Sequence, residues 1–216
     1  MAYGYGPASC SLEEILAALG KGLMREYRAE YLPAHRRSPR RTRRLRRIRG
    51  WSRETDHLAL EVDRVVRRTV PRIEQETGHT FRSPDGLVRI LMTPSTGRLF
   101  RGILAGFPED ALPIRANDLA LLGNFSDDAR ALAIIGDVTL RLKVTPGAHV
   151  QGTALCDRWE LHESRIDLAC RRCPAGGLLV QEKETLAWAV LGLIYVEGGT
   201  DALGRAVSLL ACGRDG

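Results

Sequence analysis

Leu12, Ile15, Leu16, Leu19, Leu23, Tyr27 and Tyr31 recur at the three- and four-residue spacing that lines one face of an α-helix. A chain that opens on such a stripe must bury it, and similar spacing continues along most of the 216 residues. Ser11-Leu12-Glu13-Glu14 supplies a capping box at the start of the stripe, and Pro33 stops it. With aromatic residues at only 6%, helical periodicity outweighs any strand signal, so the expected class is all-α. A hydrophobic content of 44% fits one core of ordinary size plus an extension.

Further boundaries follow from caps and breakers. Ser52 is expected to cap a second helix with Glu54 and Asp56 early and Arg67 and Arg68 late, a polarity that suits the helix dipole; Leu58, Val62, Val65 and Val66 share one side. Pro71 opens a short helix ending at Gly78, and Ser83-Pro84 opens another. Residues 93–116, rich in Gly and Pro, read as a long surface loop. Ser126-Asp127-Asp128 caps the next helix, residues 145–153 form a loop, and a helix runs around Ala154 to Ala169. Gly176 and Gly177 interrupt the chain before a helix from about Gln181 to Val196. Glu197-Gly-Gly-Thr-Asp201 then links it to a last helix reaching about Leu210. No internal repeat is evident.

Charge is concentrated. The net charge is +6, yet the stretch RRSPRRTRRLRRIR contains nine arginines (Arg36, Arg37, Arg40, Arg41, Arg43, Arg44, Arg46, Arg47 and Arg49) and no acid, which leaves the rest of the chain at −3. Arginine outnumbers lysine throughout, with only Lys21, Lys143 and Lys183, but a general preference does not explain a cluster. Guanidinium groups pair with phosphates bidentately and release counterions on binding, so the run is a candidate contact for RNA without sequence preference. Its competing readings are a solvated linker and an arm docked on acids of its own chain. With only Leu45 and Ile48 apolar, the run cannot bury a face by itself and is a candidate for disorder.

No basic n-region precedes an apolar stretch at the start, and the longest nearly uncharged apolar run, Leu186 to Val196, is too short to span a bilayer. The expectation is a cytoplasmic protein that makes no membrane contact. Five cysteines (Cys10, Cys156, Cys170, Cys173 and Cys212) are odd in number and scattered, as free thiols in a reducing compartment would be. Cys170-Arg-Arg-Cys173 would need His149 or His162 to complete a zinc site and reads instead as loop cysteines. The five histidines show no ligand spacing, and no phosphate-binding glycine loop or nucleophile elbow occurs.

Three stretches, in order, resemble the ribonuclease III catalytic domain. Residues 73–91, IEQETGHTFRSPDGLVRIL, are similar to its opening helix, Gly-aromatic-x-Phe turn and next Pro-capped helix. Residues 129–140, ARALAIIGDVTL, are similar to its signature helix, and residues 184–199, ETLAWAVLGLIYVEGG, to its closing helix. The resemblance covers roughly residues 71–211. It implies a ribonuclease III-like helical domain there, after an extension at 1–70 that holds the Arg-rich segment 36–49, with a short tail at 212–216. It also implies a homodimer through the signature helix, with Ile134 and Ile135 at the interface.

Enzymes of that family hold Mg²⁺ with four carboxylates, two of them four residues apart on the signature helix and two of them three apart on the closing helix. Carried onto this chain, those positions are Ala133, Asp137, Thr185 and Trp188, so only Asp137 keeps an acid. Glu184 points about 100° away from position 185, Asp127 and Asp128 lie at the start of the signature helix, and Glu197 belongs to the terminal turn; none restores the pattern. Gly136 and Gly192 each cost a helix about 1 kcal/mol relative to Ala, which is understandable if two helix backbones meet there. The leading expectation is therefore a catalytically degenerate ribonuclease III-like protein that binds structured or double-stranded RNA or serves as a structural subunit of an RNA–protein assembly, with no cofactor. Its alternatives are an active Mg²⁺-dependent endoribonuclease whose carboxylates come from elsewhere or from a catalytic partner subunit, and a protein-binding scaffold without RNA.

Overall fold

The computed structural model describes residues 10–31, 38–108, 111–143, 151–168 and 179–212. The protein is all-α, with eight helices and no strand among these residues: α1 (Leu12–Tyr31), α2 (Pro39–Thr77), α3 (Pro84–Leu91), α4 (Pro94–Gly106), α5 (Ala116–Gly123), α6 (Phe125–Lys143), α7 (Gly152–Arg158) and α8 (Val180–Cys212). They form two compact units. Unit 1 comprises Met1–Val62 and Ser95–Gly123, and unit 2 comprises Asp63–Pro94 and Asn124–Gly216. Residues 95–123 thus group with the N-terminal segment, where the sequence reading put them in a domain beginning at 71.

In unit 1, the capping box forms as expected: Glu14 N–H donates to Ser11 Oγ at 3.2 Å, and Ser11 N–H donates to the Glu14 carboxylate at 2.8 Å. The stripe from Leu12 to Leu23 is buried, while Tyr27 and Tyr31 stack on each other at 5.7 Å with Tyr31 exposed. Pro33 lies outside the described residues.

The Arg-rich segment is helical from Pro39 onward. Ser38 caps it, accepting from Arg41 N–H, with Pro39 at the first helical position. Leu45 and Ile48 are buried, so the segment is ordered by the rest of unit 1 where its own two apolar residues would not suffice. α2 then runs without a break through Ser52 and Pro71, which were expected to begin separate helices. Ser52 is instead buried in mid-helix, and Pro71 sits inside α2. A proline there removes one backbone hydrogen bond, but Val70 and Ile73 on either side are buried, and their packing offsets the loss.

The expected loop at 93–116 is largely helix. Its glycines are contact surfaces: a Cβ at Gly102 would sit 3.5 Å from Trp51 Nε1, one at Gly106 would overlap the Trp51 ring, and one at Gly97 would lie 2.7 Å from the Gly123 carbonyl oxygen. Glycine in α4 receives an indole and the end of α5, and this packing outweighs its poor helix propensity.

In unit 2, Ser83 accepts from Asp85 N–H and Pro84 opens α3, as expected. The end of α3 is tied down by a single parallel bridge, with Ile166 N–H donating to the Leu91 carbonyl at 2.9 Å and Thr93 N–H to the Ile166 carbonyl at 3.1 Å. α7 is shorter than the helix expected over Ala154 to Ala169. Trp159 is fully buried with its indole N–H donating to Glu76 at 2.9 Å, and Glu160 takes a left-handed φ of 51° that no helix continues through. Gly176 and Gly177 lie outside the described residues.

α8 forms much of the core of unit 2: Ala187, Ala189, Val190, Leu191 and Ile194 are buried. The break expected at Gly198-Gly199 is a kink at Gly199, with φ 69° and ψ −163°. Over Val180–Leu210 the helix is long and apolar enough to cross a membrane, because it extends well beyond the uncharged run at its centre; 56% of its most apolar window is buried inside the protein.

Candidate functional site

α6 and α8 cross in contact, and two glycines set how closely. A Cβ at Gly136 would overlap the Trp188 carbonyl oxygen, and one at Gly192 would overlap the Leu132 carbonyl oxygen. Any side chain at either position would push the helices apart. This close approach is the role expected for both residues, and it brings the segments holding Ala133 and Asp137 against those holding Thr185 and Trp188.

The chemistry at that crossing is not that of a metal cage. Ala133 is buried and offers a methyl group. The Thr185 hydroxyl donates to the Gln181 carbonyl at 2.7 Å within its own helix. The Trp188 indole lies against the start of α7, where a Cβ at Gly152 would come within 3.0 Å of its ring. Asp137 accepts from Arg141 Nε at 2.9 Å, one turn further along α6. Among the neighbouring acids, Glu197 is held by His79 Nε2 at 3.2 Å and by Arg82 N–H at 3.0 Å, and the Asp127 side chain lies outside the described residues. Among the described residues no group of three His, Cys, Asp or Glu side chains is placed to hold a metal ion. A Mg²⁺ pair asks for several hard oxygen donors on each ion, and one carboxylate already bonded to an arginine does not fit it.

No family model, curated protein or solved structure matches the chain.

Of the nine arginines, Arg36 and Arg37 lie outside the described residues; the other seven lie on the first three turns of α2. Three are engaged by the protein itself. Arg41 Nε donates to the Glu30 carbonyl at 3.1 Å, and Arg44 Nε lies 2.7 Å from the Glu30 carboxylate and 5.8 Å from the Phe107 ring centre. Arg47 lies over the Trp51 ring at 5.8 Å. Arg40, Arg43, Arg46 and Arg49 are exposed. Docking on its own chain and presentation to solvent thus occur together within this run. The buried positions Leu45 and Ile48 anchor the helix that carries the run, and their spacing of three was the signal for it.

Ile134 is 66% exposed and Ile135 half-buried. Val138 and Leu142, not singled out by the sequence, extend the exposed apolar row from Ile134 along α6 at intervals of four. That spacing, read beyond the conspicuous Ile-Ile pair, would have found them.

The thiols divide by burial. Cys10 is exposed; Cys156 is fully buried, and loss of solvent, followed by the charge of Asp157, pushes its thiol up to about 11, against weaker lowering by a backbone hydrogen bond from His162 and the charges of Lys183 and Arg165. A thiol that stays protonated is no nucleophile. His162 instead approaches Asp157 and Glu163, each at 3.7 Å. Cys170, Cys173 and His149 lie outside the described residues.

Proposed function

We propose that this is a ribonuclease III-like protein without a working metal site, which binds structured or double-stranded RNA as a homodimer in the cytoplasm. In this reading it acts as a binding or structural subunit of an RNA–protein assembly and uses no cofactor. The observation that carries the RNA part is the row of exposed arginines on an ordered helix. Arg40, Arg43, Arg46 and Arg49 project to solvent around about two and a half turns of a helix that Leu45 and Ile48 anchor, so their backbone is in place before a ligand arrives. Phosphates are the ligands that such a row attracts most strongly, by bidentate hydrogen bonding and counterion release.

The loss of catalysis is supported by the residues at the α6–α8 crossing. A methyl group, a hydroxyl satisfied within its helix and an indole occupy three of the positions where the resembled enzymes carry carboxylates, and Asp137 is in an ion pair. Dimer formation is supported by the exposed row Ile134, Val138 and Leu142, an apolar surface that a monomer would leave in water.

The experiment replaces Arg40, Arg43, Arg46 and Arg49 together with Gln and measures affinity for a short RNA duplex at two salt concentrations. Arg41, Arg44 and Arg47, which touch their own protein, stay in place. The expected result is weaker binding and a shallower salt dependence, by roughly 0.7–0.9 in log–log slope for each phosphate that is no longer neutralised. Unchanged affinity and slope would overturn the assignment.

A further inference from the structure

In unit 2, α2 carries Arg64, Arg68 and Arg72, four residues apart and therefore on one stripe of the helix. The turn that follows α7 faces them with Glu160, Glu163 and Ser164, and together with Thr69 these residues line a cleft of about 330 Å³. Its two ends are fixed. Arg64 Nη2 donates to the Glu163 carbonyl at 3.3 Å, and Arg72 Nη1 lies 2.8 Å from Glu160 Oε2. Glu160 reaches that partner from a left-handed backbone, φ 51°, which L residues other than Asn and Asp seldom adopt. On the cleft wall Thr69 Oγ1 and Ser164 Oγ are 2.8 Å apart. One hydroxyl proton is spent in that bond, and the other hydroxyl keeps a donor for a further acceptor.

Arg68 stands between the two anchored arginines and makes no ion pair among the described residues. Three guanidinium groups against two carboxylates leave the cleft with a net positive charge, and Glu160 is already met by Arg72. We propose that this cleft binds a phosphate group, with Arg68 as its principal cation and the Thr69–Ser164 hydroxyl pair supplying one neutral donor. A planar fork of N–H groups beside a hydroxyl matches the several acceptor oxygens of a tetrahedral anion. The ligand is free phosphate or a phosphate of an RNA backbone. The arginine row at the start of α2 belongs to unit 1 and takes no part in this cleft.

The test measures thermal unfolding against sodium phosphate at constant ionic strength, with chloride as the balancing salt. The expected result is a saturable rise in Tm, as a ligand of the folded state produces, which disappears in Arg68→Gln and is reached only at several-fold higher phosphate in Ser164→Ala. Arg68 is exposed, so its replacement leaves the packing of α2 intact. A response that is absent, or identical in Arg68→Gln, would overturn the proposal; the second outcome means adventitious surface binding only. A duplex-binding arm names the source. Weaker RNA affinity in Arg68→Gln, with competition by phosphate, assigns the site to the RNA backbone; unchanged RNA affinity with the Tm response lost assigns it to free phosphate. The fourfold Gln variant of unit 1 retains the phosphate response whatever becomes of its RNA binding, so the two readings fail separately.

Discussion

Arg141 Nε lies 2.9 Å from Asp137 Oδ1, one turn further along α6. The pair is open to solvent, with Arg141 about three-quarters exposed, so it contributes no more than about 0.5 kcal/mol. Asp137→Asn should therefore unfold within roughly 0.5 kcal/mol of the parent in urea. Purified protein should leave double-stranded RNA intact in Mg²⁺ or Mn²⁺, before and after that substitution. Robust cleavage that Asp137→Asn removes would mean that acids elsewhere complete the site.

At Gly136 and Gly192 the sign of a substitution's effect is informative. Helix propensity alone would make Ala better than Gly by about 1 kcal/mol. At these two positions the added methyl meets the backbone of the facing helix, which has no rotamer through which to yield. Gly136→Ala and Gly192→Ala should each lose about 2–4 kcal/mol, read as a fall in the urea midpoint at constant m-value. Gly204→Ala, in a helical position with open space around it, is the control and should gain up to about 1 kcal/mol.

Ile134→Glu and Leu142→Glu should convert the proposed dimer to monomer, with the change in mass read by sedimentation equilibrium. Both side chains are mostly in solvent within one chain, at 66% and 79% exposed, so neither replacement should lower the far-ultraviolet helical signal. A parent protein that sediments as a monomer at all concentrations would remove the dimer from the proposal.

Cys156 sets a limit on alkaline stability. Its folded-state thiol is pushed up to about 11 from an ordinary value of 9.0, so the folded protein holds a proton that the unfolded chain releases. The associated stabilisation is complete below pH 9 and is lost as pH rises through about 11, at up to about 1.4 kcal/mol per pH unit between them. Denaturation midpoints across that range should fall more steeply in the parent than in Cys156→Ala. Alkylation at neutral pH should label the exposed Cys10 and spare Cys156 until the protein unfolds.

Features decided by neighbours in sequence were legible from the sequence. The Ser11–Glu14 box, the Ser83-Pro84 start, the buried stripe of α1 and the break at Gly199 each depend on residues within one or two turns. Gly136 and Gly192 were legible for a different reason: a glycine in a good helix needs a tertiary cause. The course of α2 was not. Ser52 and Pro71 carry local signals to start a helix, and those signals lose to burial of Leu58 and Val62 in unit 1 and of Val65, Val70 and Ile73 in unit 2. α4 was hidden because its glycines look like loop residues until Trp51 is placed against them. At the candidate site the sequence supplied the identities at 133, 137, 185 and 188. The ties from Glu30 to Arg41 and Arg44 span at least eleven residues and follow no local rule.

Gly199 divides α8. A residue at φ 69° turns the main chain aside three residues beyond the uncharged apolar run Leu186–Val196, so the run of intrahelical peptide bonds cannot pass through it in register. In hydrocarbon, each amide freed by such a turn lacks a partner and costs several kcal/mol. Residues 198–200 are exposed, where water supplies that partner at once. The segment whose average apolarity would suffice for a bilayer span thus carries an exposed, non-helical residue within it.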